Sequence, residues 1–235
     1  MKRVFRLCVA VTALMPFMAN AAVVNVVDNG TAFVNWHLSG YQAVESVPGI
    51  TLQKTATPFA DLDNTAMIVA NAARRFDVDY GQLYDYISGG GRFVLYSDYS
   101  NTSTYPDQHP FTNEILTNLS VPWSISGISG GNSVNMNTDN PFAEGVSGLN
   151  YAAAGNVSGV AGDDVVAWGE QGQVMFASYA IGDGYLFLSA DVGVYSDELA
   201  LNLLTVNSAL PIPGAVWLFG SALAGLGWMR RRRTA

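Results

Sequence analysis

Three aspartates in this chain, Asp28, Asp98 and Asp191, each follow an apolar run of strand-like composition: VVNVVD, FVLYSD and LFLSAD. In open α/β sheets, ligands bind beyond the carboxyl ends of the strands, so side chains in that position stand where chemistry is done. If the three strands are neighbours, the carboxylates form one ligand-facing rim, and a hard cation such as Ca²⁺ or Mg²⁺ would offset their repulsion. An aspartate at a strand end also caps the loop or helix that follows it, and the sequence supports both readings. The polar loops Asn29-Gly30-Thr31, Tyr99-Ser100-Asn101 and Val192-Gly193 follow the three aspartates. Trp36, Tyr99 and Tyr105 would give that rim flat faces on which sugars stack.

A second constellation overlaps the first. Ser97 and Ser100 flank Asp98, and His109 lies near enough in sequence to act as the base of a Ser hydrolase. Neither serine, however, sits in a Gly-x-Ser-x-Gly elbow. The non-catalytic reading makes Ser97 a strand-end hydroxyl that satisfies backbone groups, and His109, beside Pro110, a solvent-facing loop residue. His37, next to Trp36, is expected in the loop after the first strand, either lining a sugar-binding surface or as an ordinary packed or exposed histidine.

To bring these residues to one edge the chain needs a parallel sheet, and its apolar runs supply one. Val23–Val27, Ile50–Lys54 and Ala66–Ala70 read as strands, the last buried on both faces by its continuous apolar character. Leu83, Tyr84 and Ile87 fall at helical spacing, Gly89-Gly90-Gly91 stops that helix, and Arg92–Tyr96 forms the next strand. Phe111–Leu119 reads as a helix introduced by Pro110, and Val121–Val160, rich in Gly, Ser and Asn, as an irregular or short-stranded insertion. Three more strands lie in DVVAWG, QVMFASYA and YLFLSAD, the last two forming a hairpin. Ser196 then caps a helix running to Ala209.

The order of DLDNTAMIVAN, LYDYISGGGRFVLYSD, NPFAEGVSGL and GDGYLFLSADVGVYSDELALNLLTVNSAL resembles the glutamine-amidotransferase-like α/β fold, in particular its ThuA-like, non-catalytic relatives. The resemblance covers most of residues 22–210. It implies a flavodoxin-like, mixed and mostly parallel sheet with flanking helices. In catalytic members a Cys nucleophile occupies the turn after the strand matching Phe93–Tyr96, with a later His as partner. Here that turn reads Ser97-Asp98-Tyr99-Ser100, and no His follows His109. The resemblance therefore implies a domain without amidotransferase or Cys-peptidase activity.

Both ends read as targeting segments. Lys2, Arg3 and Arg6 precede an apolar stretch and Ala19-Asn20-Ala21, the layout of a secretory signal peptide over residues 1–21. The single cysteine, Cys8, leaves with it, so a disulfide, a thiolate metal site and a Cys nucleophile are excluded from the exported part. At the other end, residues 211–235 read PIPGAVWLFGSALAGLGWMRRRRTA. The uncharged run Ala215–Met229 is a marginal membrane span, since crossing takes about 20 residues, and Arg230, Arg231, Arg232 and Arg233 would stay cytoplasmic. This pattern resembles the PEP-CTERM sorting signal, with Pro211-Ile212-Pro213 where that family has Pro-Glu-Pro. It implies an exosortase-type processing enzyme, transient anchoring in the inner membrane, and delivery to the cell surface or an exopolysaccharide matrix.

Between those ends the basic residues are Lys54, Arg74, Arg75 and Arg92, set against all 19 acidic ones. A balance of about −15 excludes nucleic acid as a partner. The reading is an exported, non-catalytic interaction domain needing no cofactor beyond the Ca²⁺ or Mg²⁺ considered above. The alternative is an envelope hydrolase for carbohydrate or ester substrates.

Overall fold

A computed structural model of the chain describes residues 22–98 and 105–207. The expected leader, the sorting tail and the aromatic Tyr99 lie outside the described residues. The first half of the chain alternates strand and helix: β1 (Ala22–Val27), α1 (Phe33–Gly40), β2 (Ile50–Thr55), β3 (Thr65–Asn71), α2 (Tyr80–Ser88), β4 (Arg92–Tyr96) and α3 (Gln108–Asn118). The second half is strand-rich: β5 (Ser124–Gly130), β6 (Val134–Met136), β7 (Ala153–Ser158), β8 (Val165–Gly169), β9 (Val174–Ile181) and β10 (Gly184–Ser189), closed by α4 (Asp197–Thr205).

One mixed sheet results, in the order β2-β1-β3-β4-β10-β9-β7-β5, with β8 also on β9 and β6 on β8. The strands β2, β1, β3, β4 and β10 are mutually parallel, and everything beyond β10 is antiparallel. Parallel strands need covering on both faces. Met67, Ile68, Val69 and Ala70 of β3, and Phe93, Val94 and Leu95 of β4, accordingly have no exposed surface. The hairpin of β9 and β10 turns at Gly182, as its sequence leads one to expect.

Local chemistry sets the boundaries. Asp79 caps α2 by accepting from Gln82 N at 3.0 Å, and Ser196 caps α4 by accepting from Leu199 N at 3.2 Å. After α2 packing requires Gly91, where a Cβ would sit 2.6 Å from the carbonyl oxygen of Tyr86. A Cβ on Gly184 would sit 2.2 Å from the carbonyl oxygens of both Gly91 and Ile87, so β10 enters the sheet only because it lacks a side chain there.

Three elements differ from expectation, the last helix among them: α4 ends at Thr205 rather than Ala209, with Val206 already extended. Residues 33–40, read as loop, form α1: FVNWHLSG buries only Val34, His37 and Gly40, a stripe too short and too polar to register as helical periodicity. Helix α3 begins at Gln108 rather than Phe111, because Pro110 sits in the first turn, where its missing N–H leaves no bond unmade. The Gly-rich insertion forms three short strands, β5 to β7. It also contains Gly127-Ile128-Ser129-Gly130-Gly131, spelled like a nucleophile elbow. Ser129 pairs with Ala154 within an antiparallel ladder, whereas an elbow needs a strand-to-helix turn.

Arg92 ties these parts together. It opens β4 with only 2% of its surface exposed, and its Nη1 donates to Leu203 O at 2.6 Å while Nη2 donates to Val206 O. The guanidinium lies 5.8 Å from the Phe142 ring and 5.6 Å from the Tyr185 ring. Burial lowers its pKa to about 10, still a cation at neutral pH. Replacing Arg92 by Leu strands two carbonyls at the end of α4 and is expected to lower the unfolding free energy by about 2–4 kcal/mol, with Arg92→Lys intermediate. Urea denaturation measures this, and an unchanged midpoint for both variants would show that the carbonyls find other donors.

Candidate functional site

Because β1, β3, β4 and β10 run parallel, their carboxyl ends share one edge of the sheet, and Asp28, Asp98 and Asp191 all lie along it. Asp98 and Asp191 follow neighbouring strands. Asp28 follows a strand three places from β10, on the order of 14 Å at the spacing of paired strands. Asp28 is engaged locally: its Oδ2 meets Lys54 Nζ at 2.8 Å and its Oδ1 accepts from Gly30 N at 3.1 Å. The Lys54 bond, then that of Gly30, holds its carboxyl below the usual range. Asp191 is buried and accepts from Gly193 N at 2.6 Å, Ala152 N at 3.2 Å and Ala153 N at 3.3 Å. Burial raises its pKa, with these bonds opposing. Asp28 and Asp191 thus act as caps for the segments that follow them. Among the described residues no three His, Cys, Asp or Glu side chains gather in a way that would hold a metal ion.

Of the hydrolase constellation Ser100 lies outside the described residues, and Ser97 and His109 are each engaged with other groups. Ser97 is fully buried, with its N–H on Ser189 O at 2.9 Å and its hydroxyl paired to that of Thr112 at 3.1 Å. His109, expected in a solvent-facing loop, is a buried residue of α3. Its Nε2 donates to the Asp98 carbonyl oxygen at 2.5 Å. A hydrolytic serine must present its hydroxyl to the substrate, whereas that of Ser97 is fully buried and accepts from Thr112. Burial lowers the His109 pKa, partly offset by the Asp98 bond.

His37 also differs from expectation. It lies in α1 and is 1% exposed, so it lines no surface. Its ring stacks on Tyr96 at 4.2 Å between centroids, while Tyr96 shares a hydrogen bond with Tyr41 at 2.9 Å. The Nε2 of His37 is one of four buried polar atoms without a partner among the described residues, with Asn71 Nδ2 and both amide atoms of Gln108. Asn71 closes β3 as the register partner of Tyr96, and the Gln108 carbonyl accepts from Thr112, which pairs with Ser97. All four atoms therefore belong to residues linked to Tyr96 or Ser97 at the end of β4. A buried group left unpaired costs about 1–3 kcal/mol, and such groups mark where water or ligand atoms are received. Sequence reasoning singled out His37 but missed Asn71 and Gln108, although AMIVAN ends an apolar strand in an amide just as the three singled-out runs end in Asp.

At the same edge, Trp36 is half exposed and stands edge-on to Phe33 at 5.2 Å, and Phe33 meets Tyr105 at 5.6 Å. Two of the aromatics expected to offer flat faces are thus joined through Phe33.

No protein-family model matches this chain, nor does any curated protein. Its fold is shared by solved structures. The beta-galactosidase of Rahnella sp. R3 superposes with a TM-score of 0.57 at 17% identity, covering 79% of this chain and 30% of that one. The beta-galactosidase of Bacillus circulans sp. alkalophilus gives 0.52 at 14%, covering 82% and 32%. A cytoplasmic protein of Salmonella typhimurium gives 0.55 at 11%, covering 78% and 97%. The chain thus spans about a third of the galactosidases, and at these identities the likeness is one of fold.

Burial depresses the His37 pKa from 6.5 to about 4, opposed only by a backbone hydrogen bond to Val192. The unfolded chain takes up this proton below pH 6.5 while the folded one resists until about pH 4, so the stability contribution falls as pH drops through that window. The loss is on the order of 3 kcal/mol. His37→Gln removes this component, so the difference in denaturation midpoint between variant and parent should narrow from pH 7 to pH 4. A constant difference would place the imidazole in contact with solvent.

Proposed function

We propose that this chain is an exported protein of the cell envelope or exopolysaccharide matrix whose α/β domain binds rather than catalyses. The observation that carries this reading is the complete burial of Ser97, whose hydroxyl accepts from Thr112, in a chain whose only cysteine is Cys8. What supports delivery is the leader over residues 1–21 and the Pro211–Arg233 pattern, which resembles an exosortase-processed sorting signal. The half-exposed Trp36, with the partly exposed Phe33 and Tyr105 beside it, suits a glycan partner, since ring faces stack against sugar rings. The hydrolase alternative would use the strand-end acids or Ser97 and His109, and the burial of Ser97 stands against its serine form.

Two measurements test this. Mass spectrometry of protein released into the matrix should find chains that begin at Ala22 and lack Arg230 to Arg233; intact Met1 or Arg233 in that material would refute the sorting scheme. Assayed on glycoside and ester substrates, the purified chain should give no turnover. Turnover abolished by His109→Ala would establish an enzyme instead.

A further inference from the structure

A cleft of about 280 Å³ opens between the loop after β3 and helix α3. Arg75, Phe76, Asp77, Tyr80, Phe111 and Glu114 line it. Its centre is Glu114, whose Oε2 accepts from Arg75 and whose Oε1 accepts from the Tyr80 hydroxyl at 2.6 Å. Arg75 in turn lies over the Phe111 ring at 4.6 Å, and Phe76 packs edge-on against Phe111 at 5.1 Å. The loop carrying Arg75 is itself tied down. Asn29 donates to the carbonyls of Asn71 and Arg74 at 2.7 Å and 3.0 Å, and Arg74 donates back to Gly30 O at 3.1 Å.

Three segments distant in sequence therefore hold one guanidinium, one carboxylate and one phenol in a fixed arrangement that remains open to water. The Arg75 and Glu114 side chains are 49% and 38% exposed. The arrangement selects by exclusion. An anion meets Glu114 and a domain of strongly negative charge. A cation must displace Arg75 from its carboxylate, and a purely apolar ligand must desolvate both charges without pairing them. A neutral polyol has none of these costs. Each hydroxyl both donates and accepts, Arg75 keeps further N–H donors beyond those on Glu114, and the carboxylate has spare lone pairs. Hydrogen bonds to charged groups are the strong ones, and Phe76, packed edge-on against the buried Phe111, adds a small apolar edge to a mostly polar cleft. The volume lies near the lower end of small-ligand sites, roughly 300 Å³, enough for one sugar ring and too small for a branched oligosaccharide.

We propose that this cleft binds a single neutral hexose unit of a glycan, with adjacent hydroxyls held between Arg75 and Glu114. This rests on the reading of the domain as a matrix-binding one and names the class of ligand it recognises. Glu114 is ready for the role at any ordinary pH, since the bonds from Tyr80 and then Arg75 hold its carboxyl below the usual range.

Saturation-transfer NMR on the purified mature chain, with D-galactose, D-glucose, D-mannose and D-galacturonate as probes, tests the proposal. At least one neutral hexose should bind saturably in the millimolar range, and galacturonate more weakly. Glu114→Gln and Arg75→Gln should each weaken binding at least tenfold while leaving the thermal midpoint nearly unchanged, because an exposed ion pair contributes little to stability. Absence of hexose binding, or binding indifferent to both substitutions, overturns the cleft assignment. Retention of the chain in matrix without hexose binding would refute the cleft alone. Turnover of p-nitrophenyl galactoside, with hexose binding intact and sensitive to Glu114→Gln, would refute the non-catalytic reading and leave the cleft standing.

Discussion

The guanidinium of Arg92 is the contact on which the arrangement of this domain depends. A buried cation is costly unless its donors are satisfied, and here the carbonyls of Leu203 and Val206 and two aromatic rings satisfy it. Those carbonyls belong to the negative end of α4, so charge and helix polarity reinforce each other. Since Arg92 begins β4, whose five residues are all buried, fixing it fixes how far that strand extends. The other end of β4 delivers Tyr96 and Ser97 to the edge where His37, Asn71 and Gln108 collect.

That edge is polar without being charged in the manner its sequence suggests. Asp28 is paired to Lys54, and Asp191 is wrapped by three backbone N–H groups. What remains unsatisfied is neutral: two amides and an imidazole. The cations are similarly committed, with Arg74 on the Gly30 carbonyl and Arg75 on Glu114. An acidic domain whose basic groups are all engaged in holding its own loops has little free positive charge to offer an anionic partner, which favours recognition through hydroxyl-rich surfaces.

How much of this was legible in the sequence follows from the physics of each element. The central strands β1, β3, β4 and β10 announce themselves because burial on both faces demands unbroken apolar runs, and the boundaries read from those runs fall within a residue or two of the observed ones. Helix α1 did not, because FVNWHLSG buries a histidine and a glycine where periodicity looks for aliphatic residues. The burial of His109 was hidden by its neighbour: Pro110 reads as loop until the helix is known to begin two residues before it. The aspartates were correctly placed at strand ends, but sequence cannot say that their partners would be a lysine one strand away and amides from a distant loop. The pairing of Arg75 with Glu114 joins residues 39 apart, a relation that no local pattern carries.

The clamp on α4 also governs how the domain would bear a load. Val206, whose carbonyl Arg92 holds, lies one residue before the end of the described chain, where Asn207 turns with a φ of 53°. A pull transmitted from residues beyond 207 does not meet a helix end that can unwind turn by turn. It reaches the guanidinium, which is fixed at the first residue of β4 between the parallel strands β3 and β10. The domain is thus gripped at its middle strand by the residues that close α4.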